Sequence, residues 1–260
     1  MDDMKVFGIN VHKDKKFKSY IFDNRNNSIE DLLAQIEDLN KNKNDLNFTN
    51  RLMFEMYNSN KIEGNTLSRQ ETKLVLENKV LPENCNYRDF LECINLNNAI
   101  EDFRKIRYID SKTIKAIHKI LTRNIVEPSN CGKFRIEPVY ISNCLHVPPN
   151  ADMVESLMEK SIIKFNNSNR TLIDIFVFKL ELVTIHPFTD GNGRTSRVIM
   201  NGMLEELGYP RVIFKDVDKK FYYKALEDAQ VKYMLNNWIR YCLLLLKYNL
   251  EYLNSITILE

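Results

Sequence analysis

From about Ile29 onward the apolar residues of the chain fall at helical intervals. Leu32, Leu33, Ile36 and Leu39 share one stripe, and Leu52, Met53, Met56 and Tyr57 share another. The S-x-x-E of Ser68 and Glu71 is a capping box ahead of Leu74 and Val75. Phe90, Leu91 and Ile94 open a further helix. Ser111 is placed to cap one carrying Ile114, Ile117 and Leu121, and Asp152 one carrying Val154, Leu157 and Met158. The run L-I-D-I-F-V-F-K-L-E-L-V-T-I, Leu172 to Ile185, is apolar on nearly all sides, which predicts a central helix buried by its neighbours. Gly208 and Pro210 close the helix after it. The pattern predicts an all-α fold.

Only two stretches read as extended. K-V-F-G-I-N-V-H with K-F-K-S-Y-I-F fits a short strand pair or a loosely attached arm, and Pro138 to Pro149 fits a hairpin with β-branched residues around a turn-like S-N. No internal repeat is visible, and N-K-N-K-N-D at 40–45 reads as a linker. The expected organisation is an N-terminal extension over 1–47 and a main helical unit over 48–260.

Composition narrows the class. A chain of 260 residues with 44% hydrophobic content can bury one sizeable core. A net charge of +2 with scattered basic residues argues against nucleic acid as a partner. Five cysteines without a C-x-x-C pair are the pattern of reduced thiols in a cytoplasmic protein. The start, M-D-D-M-K-V-F-G, lacks the basic and apolar regions of a signal peptide. Y-C-L-L-L-L-K, at 241–247, is too short for a membrane span, so no membrane partner is expected.

The chemistry concentrates in H-P-F-T-D-G-N-G-R-T-S-R, from His186 to Arg197. Gly191 and Gly193 allow positive φ and an anion-binding nest, and a helix opening after them directs its positive end to the same point. A phosphate chain suits such a site. Arg194 and Arg197 can both lean toward it, Asp190 offers a hard oxygen for magnesium bridging phosphates, and His186 can accept a proton near neutral pH. Taken singly, each residue has an ordinary role as cap, turn former or solvated cation; the convergence within twelve residues carries the signal. A metalloprotease reading fails because Pro187 and Gly191 deny the regular helix that i,i+4 ligands require. The seven glycines supply no kinase or P-loop motif.

A second stretch, S-N-K-I-E-G-N from Ser59 to Asn65, puts Glu63 at a helix C-terminus with Gly64 as the terminating residue. A carboxylate is disfavoured at that negative end of the dipole, so Glu63 calls for a cation.

The two motifs together resemble the Fic (Fido) family. H-P-F-T-D-G-N-G-R-T-S-R matches its signature at every fixed position, and S-N-K-I-E-G-N resembles its inhibitory motif, in the arrangement where that motif precedes the catalytic domain. The similarity runs from about Leu52 through the C-terminal helices. It implies a helical bundle core with a small β-hairpin flap, binding ATP with Mg2+ and moving AMP to a Ser, Thr or Tyr hydroxyl of a protein target, itself included. His186 would be the base and Asp190 the magnesium ligand. Gly191, Asn192, Gly193 and Arg194 would stabilise the reacting phosphate, with Thr195 and Ser196 in the same turn, and Arg197 would grip the γ-phosphate. F-Y-Y-K-A-L-E-D-A-Q looks like the family's adenine-holding segment, pointing to Tyr222, Tyr223 and Gln230. The hairpin resembles the flap that pairs with a target strand, with Ile141, Ser142 and Asn143 near the nucleotide.

In this reading the cation awaited by Glu63 is Arg197, and Ser59, Glu63 and Gly64, on a helix near 51–64, form an autoinhibitory device. Family members also self-associate, so a homodimer or higher assembly is implied. Two rivals stay open: an enzyme that removes AMP, and a nucleotide-sensing module without catalysis.

Overall fold

The computed structural model describes residues 5–6, 9–10, 20–21, 24, 26–43, 48–106, 108–142 and 144–255. The α-helices with bounds among these residues are α1 (Ile29–Lys41), α2 (Phe48–Ile62), α3 (Arg69–Asn78), α4 (Tyr87–Phe103), α5 (Ser111–Leu121), α6 (Val154–Asn166), α7 (Leu172–Ile185), α8 (Asn192–Glu206), α9 (Lys219–Gln230) and α10 (Leu235–Ser255). Among the described residues the fold is all-helical apart from a minimal antiparallel pair, β1 (Lys5–Val6) with β2 (Ile9–Asn10), in which Val6 pairs with Ile9. That pairing lies within K-V-F-G-I-N itself; of the second extended stretch, K-F-K-S-Y-I-F, residues 16–19 and 22 lie outside the described residues, and Tyr20 and Ile21 are helical.

Helix starts follow the capping chemistry, with two corrections. Ser28 with Asp31, Ser68 with Glu71 and Thr171 with Asp174 form complete capping boxes. Ser111 is the first residue of α5 rather than its cap. Asp110, one position earlier, accepts from the Thr113 amide at 2.7 Å, and its carboxylate is the stronger acceptor. Asp152 caps nothing, because it lies inside a single 3-10 turn, Ala151–Met153, that leads into α6 without a side-chain cap.

α7 is the axis of the core. It packs on α6, α8 and α10 and carries Ile175, Phe176, Phe178 and Leu182 into the main apolar cluster. The Trp238 indole of α10 donates to the Phe176 carbonyl at 2.7 Å, locking these two helices together. α1 lies along α10 with Leu32 and Ile36 fully buried in the same cluster, so the N-terminal stretch contributes to the core.

α2 buries polar residues as well as apolar ones. Arg51, Glu55, Asn58 and Ser59 recur at helical spacing and are all under a tenth exposed. Glu55 is gripped in bidentate fashion by Arg211, at 2.6 and 2.9 Å, and accepts from Asn201 at 2.7 Å. Arg51 donates to the Arg211 carbonyl, also at 2.6 Å. These bonds fix α2 against α8 and the chain that follows it.

The expected hairpin at 138–149 has no strand pairing among its described residues. Pro138, Pro148 and Pro149 have no N–H to donate to a ladder. The loop is instead tied by side chains, with Arg135 donating to the Pro149 carbonyl at 2.6 Å and the His146 ring bonded to the Thr184 carbonyl at 2.8 Å. All five cysteines are free thiols. Among the described residues no helix is long and apolar enough to cross a membrane.

α4 and α8 meet at Gly202, where a methyl group would lie 2.0 Å from the Phe103 ring. Gly202→Ala is expected to destabilise the fold by about 1–3 kcal/mol, the usual cost of overpacking, read from urea unfolding. Phe103→Leu in the same chain should recover part of that loss.

Candidate active site

The site is built where α7 ends and α8 begins. His186 terminates α7 in the left-handed conformation, φ 51°, with its amide bonded to the Leu182 carbonyl. Its own carbonyl accepts from Arg135 Nε at 2.8 Å. Burial lowers the His186 pKa below its ordinary value, so the ring is neutral at physiological pH. Nδ1 faces the Val183 carbonyl at 3.4 Å, which favours the proton there and leaves the Nε2 lone pair to act as a base.

The turn that follows has one left-handed glycine, not two. Gly191 takes φ 75° as the N-cap of α8, whereas Gly193 is already helical. What Gly193 supplies is space: a Cβ there would lie 2.2 Å from Glu63 Oε1 and 3.1 Å from Arg197 Nη1. The Asn192 amide is committed to Phe188, accepting from its N–H at 2.9 Å and donating to its carbonyl at 2.8 Å, so the side chain staples the turn. Ser196 is turned back to the Gly193 carbonyl at 2.9 Å, while the buried Thr195 hydroxyl has no partner.

Arg197 is buried and faces α2. Its Nε donates to Ser59 Oγ at 2.9 Å, and Nη2 donates to the Ser59 carbonyl at 2.8 Å and to Glu63 Oε1 at 2.7 Å. Ser59 therefore meets the arginine and not the glutamate. Glu63 sits at the C-cap of α2, and Gly64 follows with φ 96°. The Gly64 and Asn65 amides bond to the Lys61 and Asn60 carbonyls, the Schellman arrangement that fixes the direction of the glutamate. Burial pushes the Glu63 carboxyl up, but Arg197 and Arg194 outweigh it and hold the pKa below the usual value. Arg197 Nη1 remains buried without a partner.

Asp190 and Arg194 belong to a second charged cluster. Asp190 Oδ1 accepts from the Gly191 amide at 2.6 Å, and Oδ2 pairs with Arg88 Nη2 of α4, also at 2.6 Å. Burial raises the Asp190 pKa, and Arg194, the Gly191 amide and Arg88 together bring it below the ordinary value. Arg194, 2% exposed, has Nη1 2.9 Å from Glu92 Oε1 but off the line of a hydrogen bond, and its Nε is unpartnered.

A cavity of about 540 Å³ opens beside this turn, lined by His186, Gly193, Glu63, Ile141, Ser142, Tyr222, Tyr223 and Gln230. Asp190, Gly191, Asn192, Arg194, Thr195, Ser196 and Arg197 are not part of its lining, and Gly193 is the member of the turn that reaches it. Asn143 lies outside the described residues. Gln230 donates to Thr184 Oγ1 at 3.0 Å. The Tyr222 hydroxyl accepts from Lys179 Nζ at 2.8 Å, and that ammonium also lies 4.4 Å from the Tyr222 and Trp238 ring centres.

Several contributors are absent from the sequence expectations. His118 of α5 stacks on Phe188 with ring centres 3.7 Å apart. Its Nδ1 accepts from the Gly132 amide and its Nε2 donates to the Asp190 carbonyl, both at 3.0 Å, which supports the turn from beneath. A histidine on the apolar face of Ile114, Ile117 and Leu121 was the available signal. Arg88 and Glu92 at i,i+4 were visible as a pair, but nothing local linked them to a turn a hundred residues away. Lys179 was visible as the one cation within an apolar run.

Residues 108–204 match the model of the Fic/DOC family, and the chain belongs to that family. It is 31% identical over 188 residues to the protein adenylyltransferase Fic of Nematostella vectensis, covering 67% of this chain and 42% of that protein. The protein of the same name in Aedes aegypti is 33% identical over 183 residues, covering 67% and 36% respectively. The chain thus spans about two fifths of the length of these curated relatives. A solved Fic-1 structure from C. elegans shares the fold at 24% identity and a TM-score of 0.76, covering 86% of this chain and 71% of that one.

Burial pushes the Lys179 ammonium down to about 7 from 10.5. The unfolded chain keeps that proton up to 10.5, so between these values folding releases it and stability rises with pH. Relative to Lys179→Met, wild-type stability is expected to climb from about pH 7 to about pH 10 and to be level below pH 7. Parallel urea midpoints for the two proteins across this range would contradict the depressed amine.

Proposed function

We propose that this protein transfers AMP from ATP to a Ser, Thr or Tyr hydroxyl of a protein, its own included, and that Glu63 holds it at rest. The observation that carries this reading is the buried Arg197, paired with Glu63 and retaining an unpartnered Nη1 beside Gly193, at a helix N-terminus next to His186. A buried guanidinium at the positive end of a helix is an anion site, and the carboxylate stands where a terminal phosphate would bind.

His186 Nε2 takes the proton of the acceptor hydroxyl, whose oxygen attacks the α-phosphorus as the bond to pyrophosphate breaks. The amides at the start of α8, with Arg194, stabilise the charge that gathers on the α-phosphate. Arg197 binds the terminal phosphate once Glu63 has withdrawn. Tyr222, Tyr223, Gln230, Ile141 and Ser142, all on the cavity wall, hold the adenosine, with Asn143 in the same loop.

The donor set fits magnesium. Mg2+ is commonly held by one or two carboxylates together with substrate phosphates, and Asp190 is a lone carboxylate, its side chain 40% exposed, beside the α8 N-terminus. Among the described residues no group of three or more His, Cys, Asp or Glu forms an all-protein metal site. When bound at Asp190, the ion would supply charge neutralisation to the phosphates.

The target segment docks along 138–149, where Tyr140, Leu145 and Val147 are exposed and backbone groups outside any ladder can accept an added strand. The reading takes residues 48–260 as the catalytic unit. It places the protein in a reducing, cytoplasmic setting, which the free thiols support, and includes self-association.

With ATP labelled at the α-phosphate and intact mass as readout, Glu63→Gly is expected to gain AMP at least about tenfold faster than wild type, since an Arg–carboxylate pair is a strong charge-assisted contact. Equal labelling would remove the inhibitory role. His186→Ala in the Glu63→Gly chain is expected to lose transfer while still binding ATP; persistent labelling would exclude His186 as the base.

A further inference from the structure

The first two turns of α4 touch both halves of the site. On one side Asp89 accepts from the Thr66 amide at 2.8 Å, its backbone carbonyl accepts from Asn65 Nδ2 at 3.0 Å, and Glu92 Oε2 accepts from the same amide at 2.9 Å. These bonds clamp the segment immediately after Glu63. On the other side Arg88 pairs with Asp190, and Glu92 lies against Arg194. Arg88 and Glu92 are themselves paired at 3.3 Å.

We propose that Arg88 is a displaceable latch on Asp190, holding that carboxylate while no metal is bound and yielding it to the divalent cation. The proposal rests on the nucleotide-transfer reading of the site. Of the two Asp190 oxygens, Oδ1 accepts from the Gly191 amide and lies 3.7 Å from the buried Arg194 Nη2, whereas Oδ2 faces the half-exposed Arg88 and is the more open of the two to a metal. Arg88 Nη2 stands 2.6 Å from Oδ2. A magnesium ion binds carboxylate oxygen at about 2.1 Å, so an ion on Oδ2 would stand close to the guanidinium, and repulsion between the like charges weakens the hold of Arg88 on that oxygen. Arg88 has somewhere to go: its side chain is half exposed, and Glu92 Oε1 already lies 3.3 Å from its Nε.

The same carboxylate oxygen of Glu92 faces Arg194. As Arg88 turns fully onto Glu92, the ion pair of Glu92 with Arg194 weakens, and the guanidinium, whose Nε and Nη1 already lack hydrogen-bond partners, is freer to turn to phosphate. Metal entry and release of a phosphate-binding cation are then one exchange of ion pairs. Arg88 is a positioning residue in this scheme, acting through Asp190 and Glu92.

The test is Mn2+ binding, followed by electron paramagnetic resonance, with an ATP analogue whose α–β linkage cannot be cleaved. It is run in the Glu63→Gly background, where Arg197 is unpaired, and binding of the analogue alone is measured alongside. Arg88→Gln is expected to lower the half-saturating Mn2+ concentration about twofold to fivefold, the range that an exposed ion pair supports. Lys220→Gln removes a charge from the cavity wall away from the Asp190 pair and should not reproduce the shift. An unchanged or weaker affinity in Arg88→Gln, or an equal gain in Lys220→Gln, overturns the latch while leaving nucleotide binding intact. No binding of the analogue by any variant overturns the nucleotide reading and the latch with it.

Discussion

A guanidinium buried at the N-terminal end of a helix needs an anion, and much of this molecule is arranged around that requirement. Arg197 is 3% exposed, and the first turn of α8 adds its own positive potential to the same volume. Leaving such a charge unpaired in the interior costs several kcal/mol. The site is therefore poorly described as empty or full; the question is which anion it holds. In the present state the anion is the carboxylate of Glu63, and the absent Cβ of Gly193 gives that carboxylate room.

The carboxylate keeps its place because α2 is fixed over its length. Most surface helices dock through an apolar stripe, but α2 adds a buried polar one, ending in the Glu55–Arg211 fork and the Ser59–Arg197 bonds. Each bond demands a particular register, so sliding or rotating the helix would leave several charged groups buried without partners at once. Apolar packing alone would tolerate such slippage better. Beyond the helix end, Asn65 and Thr66 tie the chain to the first turn of α4, closing the frame around Glu63.

The helices were legible because their signals are local. Apolar spacing marked α1 through α8, and a capping box marked the start of α3. The errors at Ser111 and Asp152 were of the kind local signals produce, since a neighbouring acceptor or a tight turn shifts a boundary by a residue or two. The turn between α7 and α8 was legible because H-P-F-T-D-G-N-G-R-T-S-R is contiguous. The assignment of two positive-φ glycines failed because a glycine serves either backbone freedom or close approach, and the sequence does not distinguish them; Gly191 does the first and Gly193 the second. Arg88, Glu92, His118 and Arg135 escaped notice because their meaning is entirely tertiary. Each reaches a turn between 50 and about 105 residues away, and no periodicity encodes that distance. The 138–149 stretch was read as a hairpin because β-branched residues resemble strands, whereas its prolines and side-chain tethers favour an extended loop.

Arg135 carries a mechanical implication. One planar side chain holds the His186 carbonyl through Nε and the Glu137 and Pro149 carbonyls through its two terminal nitrogens. The two ends of the exposed loop and the backbone of the histidine thus hang from a single rigid plate. A strain applied to that loop is transmitted to the position of the imidazole without crossing any flexible joint. In the proposed reaction, seating of the polypeptide target and alignment of the proton acceptor would in this sense be the same displacement, and a badly seated target would misaim the ring.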